Sequence, residues 1–390
     1  MEIISLLKVN SYQDKLPEKL AQLLEPLGGL DSFCKKGDSC LLKPNFIMAR
    51  PVESGATTHP ALIVALVSLL HDLGCRIAVG DSPGLGSAAG VIRKLNLADD
   101  FKRFGVKIVE LETPVLQQRH SADFSRFFKN LHLAAELNEY PVIINLPKLK
   151  SHGQMGLSLA TKNLFGCVAG PAKLQWHYAV GRDYAAFARL LLEIALTVNA
   201  SLHILDGIIG MDGNGPSNGR VRELNLLMAG TNPIALDRVA VEVLQKDPEQ
   251  FPIFKAAREL DVPGTDMAQI EVRGETVAAC AVEDFDIPAA REIRSLLHHH
   301  PFLNGLVEWM AREELVINDL RCIKCRQCED QCPARAIKFN QRIRIDAKRC
   351  IKCYCCQEIC PVGALAISDP FLMKILKKIW LWSDKGKGKK

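Results

Sequence analysis

Between about residues 38 and 245, short apolar runs alternate with stretches whose apolar residues recur at helical spacing. SCLLKPNF, CRIAVGDSP, YPVIINLPKLKSH, SLHILDGIIG and LNLLMAG each read as a strand ending in polar or turn residues. HPALIVALVSLLHDLG and DYAAFARLLLEIALTVN carry the helical period, the first with Thr57 and Thr58 as its expected cap. Near-continuous apolar strands separated by helices predict a mostly parallel sheet covered on both faces, a doubly wound α/β domain. This reading places the α/β domain at 1–300 with its core at about 38–245. A small α+β module follows at 312–370 and a basic amphipathic helical tail at 371–390.

Ligands of such sheets collect beyond the C-terminal ends of the strands. Polar residues stand there: Lys43 and Asn45 after LL, Asp81 and Ser82 after IAVG, Asn145, Lys148, Lys150 and His152 after VII, and Asp206 after HIL. Thr57, His59, Lys162, Asn163, His177, Asp212, Asn214 and Asn232 follow in loops. Lysine supplies charge and asparagine supplies paired donors and acceptors, which suits a small anionic substrate or cofactor. Lys43, Asn45, Asp81, Asn145, Lys150, Lys162, Asn163 and Asn214 are the expected binding residues. Lys148 is expected to orient the ligand, and His152 or His177 to donate a proton. Each taken singly also reads as a solvated loop residue or helix cap.

The glycine-rich runs are less specific. SPGLGSAAG at 82–90 departs from the dinucleotide spacing GxGxxG and reads as a tight turn. GMDGNGPSNG at 210–219 reads as a long flexible loop after a strand. No GxxxxGK[ST] and no HExxH occur. The side chains of His298, His299 and His300 splay in different directions on either a helix or a strand, so a single metal site is not expected there.

The C-terminal part carries the sharpest chemistry. CIKCRQCEDQCP at 322–333 and CIKCYCCQEICP at 350–361 superpose at a constant offset of 28 residues. Twice over, CxxCxxCxxxCP has the spacing in which three cysteines wrap one cubane while the fourth, followed by proline, reaches the other. Cys322, Cys325, Cys328 and Cys360 are thus expected on one [4Fe-4S] cluster, and Cys350, Cys353, Cys356 and Cys332 on the second. Zinc takes two CxxC pairs with a longer spacer and needs no fourth cysteine before proline. Cys355 falls opposite Gln327 and is the surplus thiol. Pro333 with Pro361, Ala336 with Ala364 and Ile337 with Leu365 extend the match into a shared small core. Of 14 cysteines in the chain, Cys34, Cys40, Cys75, Cys167 and Cys280 remain; they show no metal spacing and read as small buried hydrophobes.

MEIISLLKVNSYQDKL lacks a basic n-region, and the longest apolar run, ALIVALVSLL at 61–70, is too short to span a bilayer. With thiolates that must stay reduced to hold iron, the expected location is the cytoplasm. Charge is uneven: residues 321–390 hold 17 Lys plus Arg against 6 Asp plus Glu, a formal +11 in a chain of net +5. The two parts are therefore set to attract each other, or the basic part recruits an acidic soluble redox partner such as a ferredoxin, flavodoxin or reductase. Nucleic acid is not expected, because the basic residues come without a stacking platform or reading helix. The tail places Leu372, Ile375, Ile379 and Trp382 on one side of a helix, suited to folding back, partner contact or peripheral membrane contact.

LLKPNF, THPALIVALVSLLHDLGCRIAVGDSPG, INLPKLKSHGQMGLSLATKNLFG, LDGIIGMDGNGP and TNPIALDRVA, in that order, resemble the iron–sulfur proteins of domain of unknown function 362. In that family a long N-terminal domain is followed by a bacterial two-cluster ferredoxin module. The resemblance covers most of residues 1–245 and leaves the reaction open. It departs in charge, since such ferredoxin modules are typically acidic and this one is basic. The architecture predicts an enzyme that passes single electrons through two [4Fe-4S] clusters to a small anionic substrate or cofactor in the N-terminal domain. The alternatives are a non-catalytic electron carrier or cofactor- or client-binding assembly protein, and clusters with a structural role only.

Overall fold

The computed structural model describes residues 1–117, 130–170, 172–287 and 314–368. The triple histidine at 298–300 and the tail at 371–390 lie outside the described residues. Its N-terminal strands are β1 (Glu2–Lys8), β2 (Ser39–Pro44), β3 (Arg76–Asp81), β4 (Lys107–Glu110), β5 (Pro114–Leu116), β6 (His132–Ala134), β7 (Val142–Leu146), β8 (Lys148–His152), β9 (Gly156–Ser158), β10 (Leu202–Asp212), β11 (Arg220–Gly230) and β12 (Ile270–Gly274). The main sheet runs β12-β1-β11-β10-β7-β2-β3-β4, and β8 pairs with both β10 and β9. The series β10-β7-β2-β3-β4 is parallel throughout, whereas β11 runs antiparallel to both β1 and β10. The sheet is thus mostly parallel and mixed, with helices on both faces.

Alternation along the strands builds a core on each face. Leu41, Ala78, Ile143, Leu205 and Met228 pack with the helices Tyr184–Val198, Pro233–Val243 and Pro252–Glu259. Their chain neighbours Leu42, Val79, Ile144, Ile204 and Leu227 pack on the other side with Leu16–Leu24, Pro60–Asp72 and Ala88–Lys94. Successive strand side chains point to opposite faces, so a strand buried on both sides must be apolar at every position. Among the described residues no helix is long and apolar enough to cross a membrane.

Three details differ from the sequence reading. β1 and β12 lie outside residues 38–245, yet they complete the sheet beside β11. YPVIINLPKLKSH divides at Pro147, which has no N–H to donate; β7 pairs with β2 and β10, while β8 leaves β2 and pairs with β10 and β9. The cap of the helix Pro60–Asp72 is His59, whose Nδ1 accepts from Ala61 N at 3.2 Å. Thr58 is used elsewhere: its hydroxyl donates to Leu146 O at 2.6 Å and accepts from Asn45 N at 2.8 Å.

The C-terminal module repeats itself in three dimensions. Strands β13 (Glu314–Ile317), β14 (Ile337–Asn340), β15 (Arg342–Ile345) and β16 (Leu365–Ser368) flank the helices Gln327–Asp330 and Cys355–Glu358. β13 pairs with β16 and β14 with β15, so each two-stranded sheet takes one strand from each half. Left-handed backbone recurs at the same offset, at Lys324 and Lys352, Arg326 and Tyr354, and Arg335 and Gly363. Ala336, Ala364, Ile337 and Leu365 are all buried, the small core the duplication implies.

Candidate functional site

A cavity of about 490 Å³ opens at the C-terminal ends of β2 and β3. Lys43, Asn45, Asp81, Lys150 and His152 form its floor, from the ends of β2 and β3 and from β8. A second wall brings Lys162 and Asn163 from the helix Ala160–Asn163, and Lys173 and His177 from the helix Ala172–Val180. The third wall is the C-terminal module, which contributes Asp330, Gln331, Cys355, Glu358 and Ile359.

On the floor, Lys43 Nζ pairs with Asp81 Oδ1 at 2.8 Å. Phe46 N and Ser82 N also donate to the Asp81 carboxylate, at 2.8 and 2.9 Å. Gly166 presses backbone against this pair: a Cβ there would lie 2.6 Å from Lys43 Nζ and collide with Asp81 Oδ1. Fully buried Lys150 donates to Asn45 Oδ1 at 2.7 Å. From there an amide chain continues: Asn45 Nδ2 to Asn163 Oδ1 and Asn163 Nδ2 to Asn145 Oδ1, each 2.7 Å. Burial pushes His203 down to about 3, so its neutral ring accepts from Asn145 Nδ2 at 2.9 Å.

The cavity holds lysines that no carboxylate contacts directly among the described residues. Lys150, Lys162 and Lys173 form no ion pair among the described residues. Burial, then Lys162, pushes Lys150 well below its ordinary value. Burial lowers Lys162 too, opposed by Glu358 and Cys355, and brings Lys173 to about 8. His177, beside Phe165 and Phe187, falls to about 4 through burial. Burial would raise Glu358, but His152, Lys162 and His177 hold it at about 2. Its Oε1 stands 2.7 Å from His152 Nε2. His152 Nδ1 accepts from Gln154 N and Met155 N, at 3.0 and 3.1 Å, which leaves the ring proton on Nε2, facing Glu358. Of the remaining carboxylates, Glu110 accepts from Ala88 N and Ala89 N, and Glu112 and Asp330 are exposed.

Three expected residues lie elsewhere. Lys148 does not line the cavity; its Nζ donates to Asp206 Oδ2 and Tyr12 Oη, both at 2.8 Å. His59 N adds a third bond to Asp206, and the His59 ring stacks on Tyr12 at 3.5 Å. Asn145 lies behind Asn163 as the inner member of the amide chain. Asn214 joins the module, accepting from Gln357 Nε2 at 3.1 Å. Of the further candidates, Asn232 caps the helix Pro233–Val243 and Asp212 pairs with Arg220 and Arg222. Lys173, Gly166 and Glu358 were not expected at the site. Glu358 stands 28 residues after Asp330, so the duplication relates the two carboxylates, but only docking brings both to the cavity.

The module is seated by backbone acceptors. Arg50 donates to Pro361 O at 2.6 Å, Cys360 O at 2.7 Å and Asn218 Oδ1 at 2.8 Å. Gln357 Nε2 donates to Asn214 O and Gly215 O, at 2.9 and 3.0 Å. The glycine-rich segment read as a long flexible loop is therefore the docking surface. Docking also breaks the symmetry of the duplication: Tyr354 is buried at 1%, whereas its counterpart Arg326 is exposed over the Phe339 ring.

The cysteine runs suit iron–sulfur clusters. Cys332, Cys350, Cys353 and Cys356 line one small cavity with Pro333 and Ala336. Burial, with Cys325 and Cys360 as neighbours, pushes the Cys328 thiol up to about 11, so the last cysteine of the second run stands by the first. Cys355 faces the N-terminal cavity instead.

A thylakoid-associated protein of Synechocystis sp. is 39% identical over 263 residues, 67% of this chain and 80% of its own length. A crystal structure of a Thermotoga maritima protein aligns over 53% of this chain and 52% of its own, with 15% identity and a TM-score of 0.36. Residues 321–364 match the 4Fe-4S dicluster domain. Residues 40–242, half of the chain, match the domain of unknown function DUF362, and the chain belongs to that family.

Proposed function

We propose that this protein is a redox enzyme that delivers single electrons to a small anionic substrate or cofactor held in the cavity. Cys322, Cys325, Cys328 and Cys360 would hold one [4Fe-4S] cluster, and Cys350, Cys353, Cys356 and Cys332 the second. When bound, these clusters supply one-electron chemistry over a potential range that their surroundings tune. One observation carries the reading: the short helix Cys355–Glu358, which bears Cys356, is itself a wall of the cavity. A ligand there lies against the proposed second cluster without any domain movement, so delivery is intramolecular.

The remaining residues have separable tasks. Lys150, Lys162 and Lys173 bind the anion, and their lack of carboxylate partners gives a ligand something to neutralise. Asn45 and Asn163 orient it, and a ligand seated on the buried floor displaces water, which strengthens each charge contact. His152, with Glu358 against its Nε2, keeps a proton at the cavity wall for the reduced product. A soluble ferredoxin, flavodoxin or reductase would supply electrons at the basic module, in the cytoplasm. The thylakoid association of the Synechocystis relative favours work near a membrane surface, with 371–390 as the candidate peripheral contact.

The test is a census on protein purified without oxygen, with mass spectrometry of released small molecules. About eight irons per chain, with an anion present in the wild type and absent from Lys162→Met, is the expected result. The same iron with no anion at all, and no response of sulfate binding to Lys162→Met, would favour the carrier reading instead.

A further inference from the structure

A second cluster of thiols lies at the opposite end of the same strands. Cys34 follows the turn Leu30–Ser32, Cys40 is the second residue of β2, and Cys75 immediately precedes β3. The cavity lies at the other, C-terminal ends of β2 and β3, with Lys43 and Asp81. The parallel register Ser39 with Arg76 and Cys40 with Ile77 draws the three cysteines together. Their sulfurs all lie within 4.8 Å of one another, and among the described residues they are the one such group of three or more His, Cys, Asp or Glu side chains. Chain separation hides this: Cys34 and Cys40 are six positions apart, but the third thiol arrives after a helix and a turn.

The site is also built. Cys34 and Cys40 are buried and Cys75 is partly buried, with the three sulfurs gathered below the surface. The loop around it is pinned by three bonds: Gly37 N to Gly74 O at 3.0 Å, Arg76 N to Asp38 O at 2.8 Å, and Lys35 N to Asp38 Oδ2 at 2.8 Å. The charges nearest the cluster are the Asp38 and Asp31 carboxylates, which disfavour thiolates, so the thiols keep their protons until a metal displaces them. No disulfide joins any pair.

We propose that Cys34, Cys40 and Cys75 bind a thiophilic d10 metal ion, Zn(II) or Cu(I). Three thiolates at about 2.3 Å from zinc sit about 3.8 Å apart, within reach of the present arrangement by small side-chain rotations. Thiolate donors select these ions over magnesium, calcium or manganese. Each thiol that ligates releases one proton to solvent, and no electron is transferred. Zinc would complete its shell with a water or an external thiol, and copper would take the trigonal all-sulfur site.

The experiment uses anaerobic protein with its clusters loaded and its iron counted. It is equilibrated with Zn(II) alone or Cu(I) alone, desalted, and read by elemental analysis and X-ray absorption at the added metal. One equivalent of either ion, in a shell of three sulfurs, is expected. Cys75→Ser should weaken retention at least tenfold with iron unchanged, and Cys280→Ser, at a buried lone thiol, should leave it intact. Cys34→Ala gives a second reading from a different element. Zinc retention and copper retention each support the site and distinguish its occupant. Retention of neither ion, retention undiminished in both Cys75→Ser and Cys34→Ala, or a disulfide between two of the three in the anaerobic protein would overturn it.

Discussion

Lys148 separates a structural from a catalytic reading of the buried lysines, and the two predict different outcomes. Its side chain and that of Asp206 are 1% and 0% exposed, at 2.8 Å. Burial lowers the lysine, and Asp206 opposes that shift. Lys148→Met strands a carboxylate that retains the His59 N–H and the Tyr12 hydroxyl as donors but no cation. Breaking a buried pair in this way costs about 3–5 kcal/mol. At about 2–4 °C per kcal/mol for a domain of this size, melting should fall by roughly 6–20 °C. Asp206→Asn, which strands the ammonium, should cost a similar amount. The double change Lys148→Met with Asp206→Leu removes both charges and should cost less than the two single changes summed, because it strands only the Tyr12 hydroxyl and the His59 N–H, at about 1–3 kcal/mol each. Circular-dichroism melts of anaerobic protein with iron counted give the stability, and sulfate titration gives the cavity. Lys148→Met that melts like the wild type yet no longer binds sulfate would refute this reasoning and return Lys148 to the ligand.

Three further outcomes follow from the site. Cys355→Ser should keep all the iron, because that thiol faces the cavity; loss of about four irons would make it a ligand. Gly166→Ala should destabilise by about 1–3 kcal/mol through the clash with Asp81 and Lys43, and a variant melting within a degree of the wild type would contradict the close approach. Lys173, held down at about 8 by burial, keeps its proton to about 10.4 when unfolded. Between these values the unfolded chain binds the extra proton, so this lysine's contribution to stability rises with pH across that window. Sulfate affinity should instead fall above about pH 8 as the folded ammonium deprotonates, and Lys173→Met should flatten that fall.

Much of the fold was legible because its signals are local. LL, IAVG, VII and HIL lie on the strands that bury both faces, and the two cysteine runs encode their repeat in covalent spacing that folding preserves, down to matching left-handed residues. The strand-end rule likewise led to Lys43, Asn45, Asp81, Lys150 and His152. What the rule could not do was separate Lys148 from Lys150. Both lie on β8 with the same alternation, but Asp206 on β10 captures the first and, among the described residues, no carboxylate pairs with the second. β1 and β12 were missed because neither was bracketed by the alternating helices.

The sequence by itself determined the doubly wound pattern, the duplicated module, the eight candidate ligands and the surplus position of Cys355. Tertiary structure alone decided that Cys355 and Glu358 would wall a cavity whose floor comes from residues about 200–300 positions earlier. It alone turned a glycine-rich loop into a docking surface and gathered Cys34, Cys40 and Cys75 from three elements. The physical reason is common to all three: periodicity and spacing describe what a segment does with its neighbours in the chain. Charge compensation, cavity walls and convergent thiols depend on which distant segment packs opposite, and strand register and domain docking set that only in the folded chain.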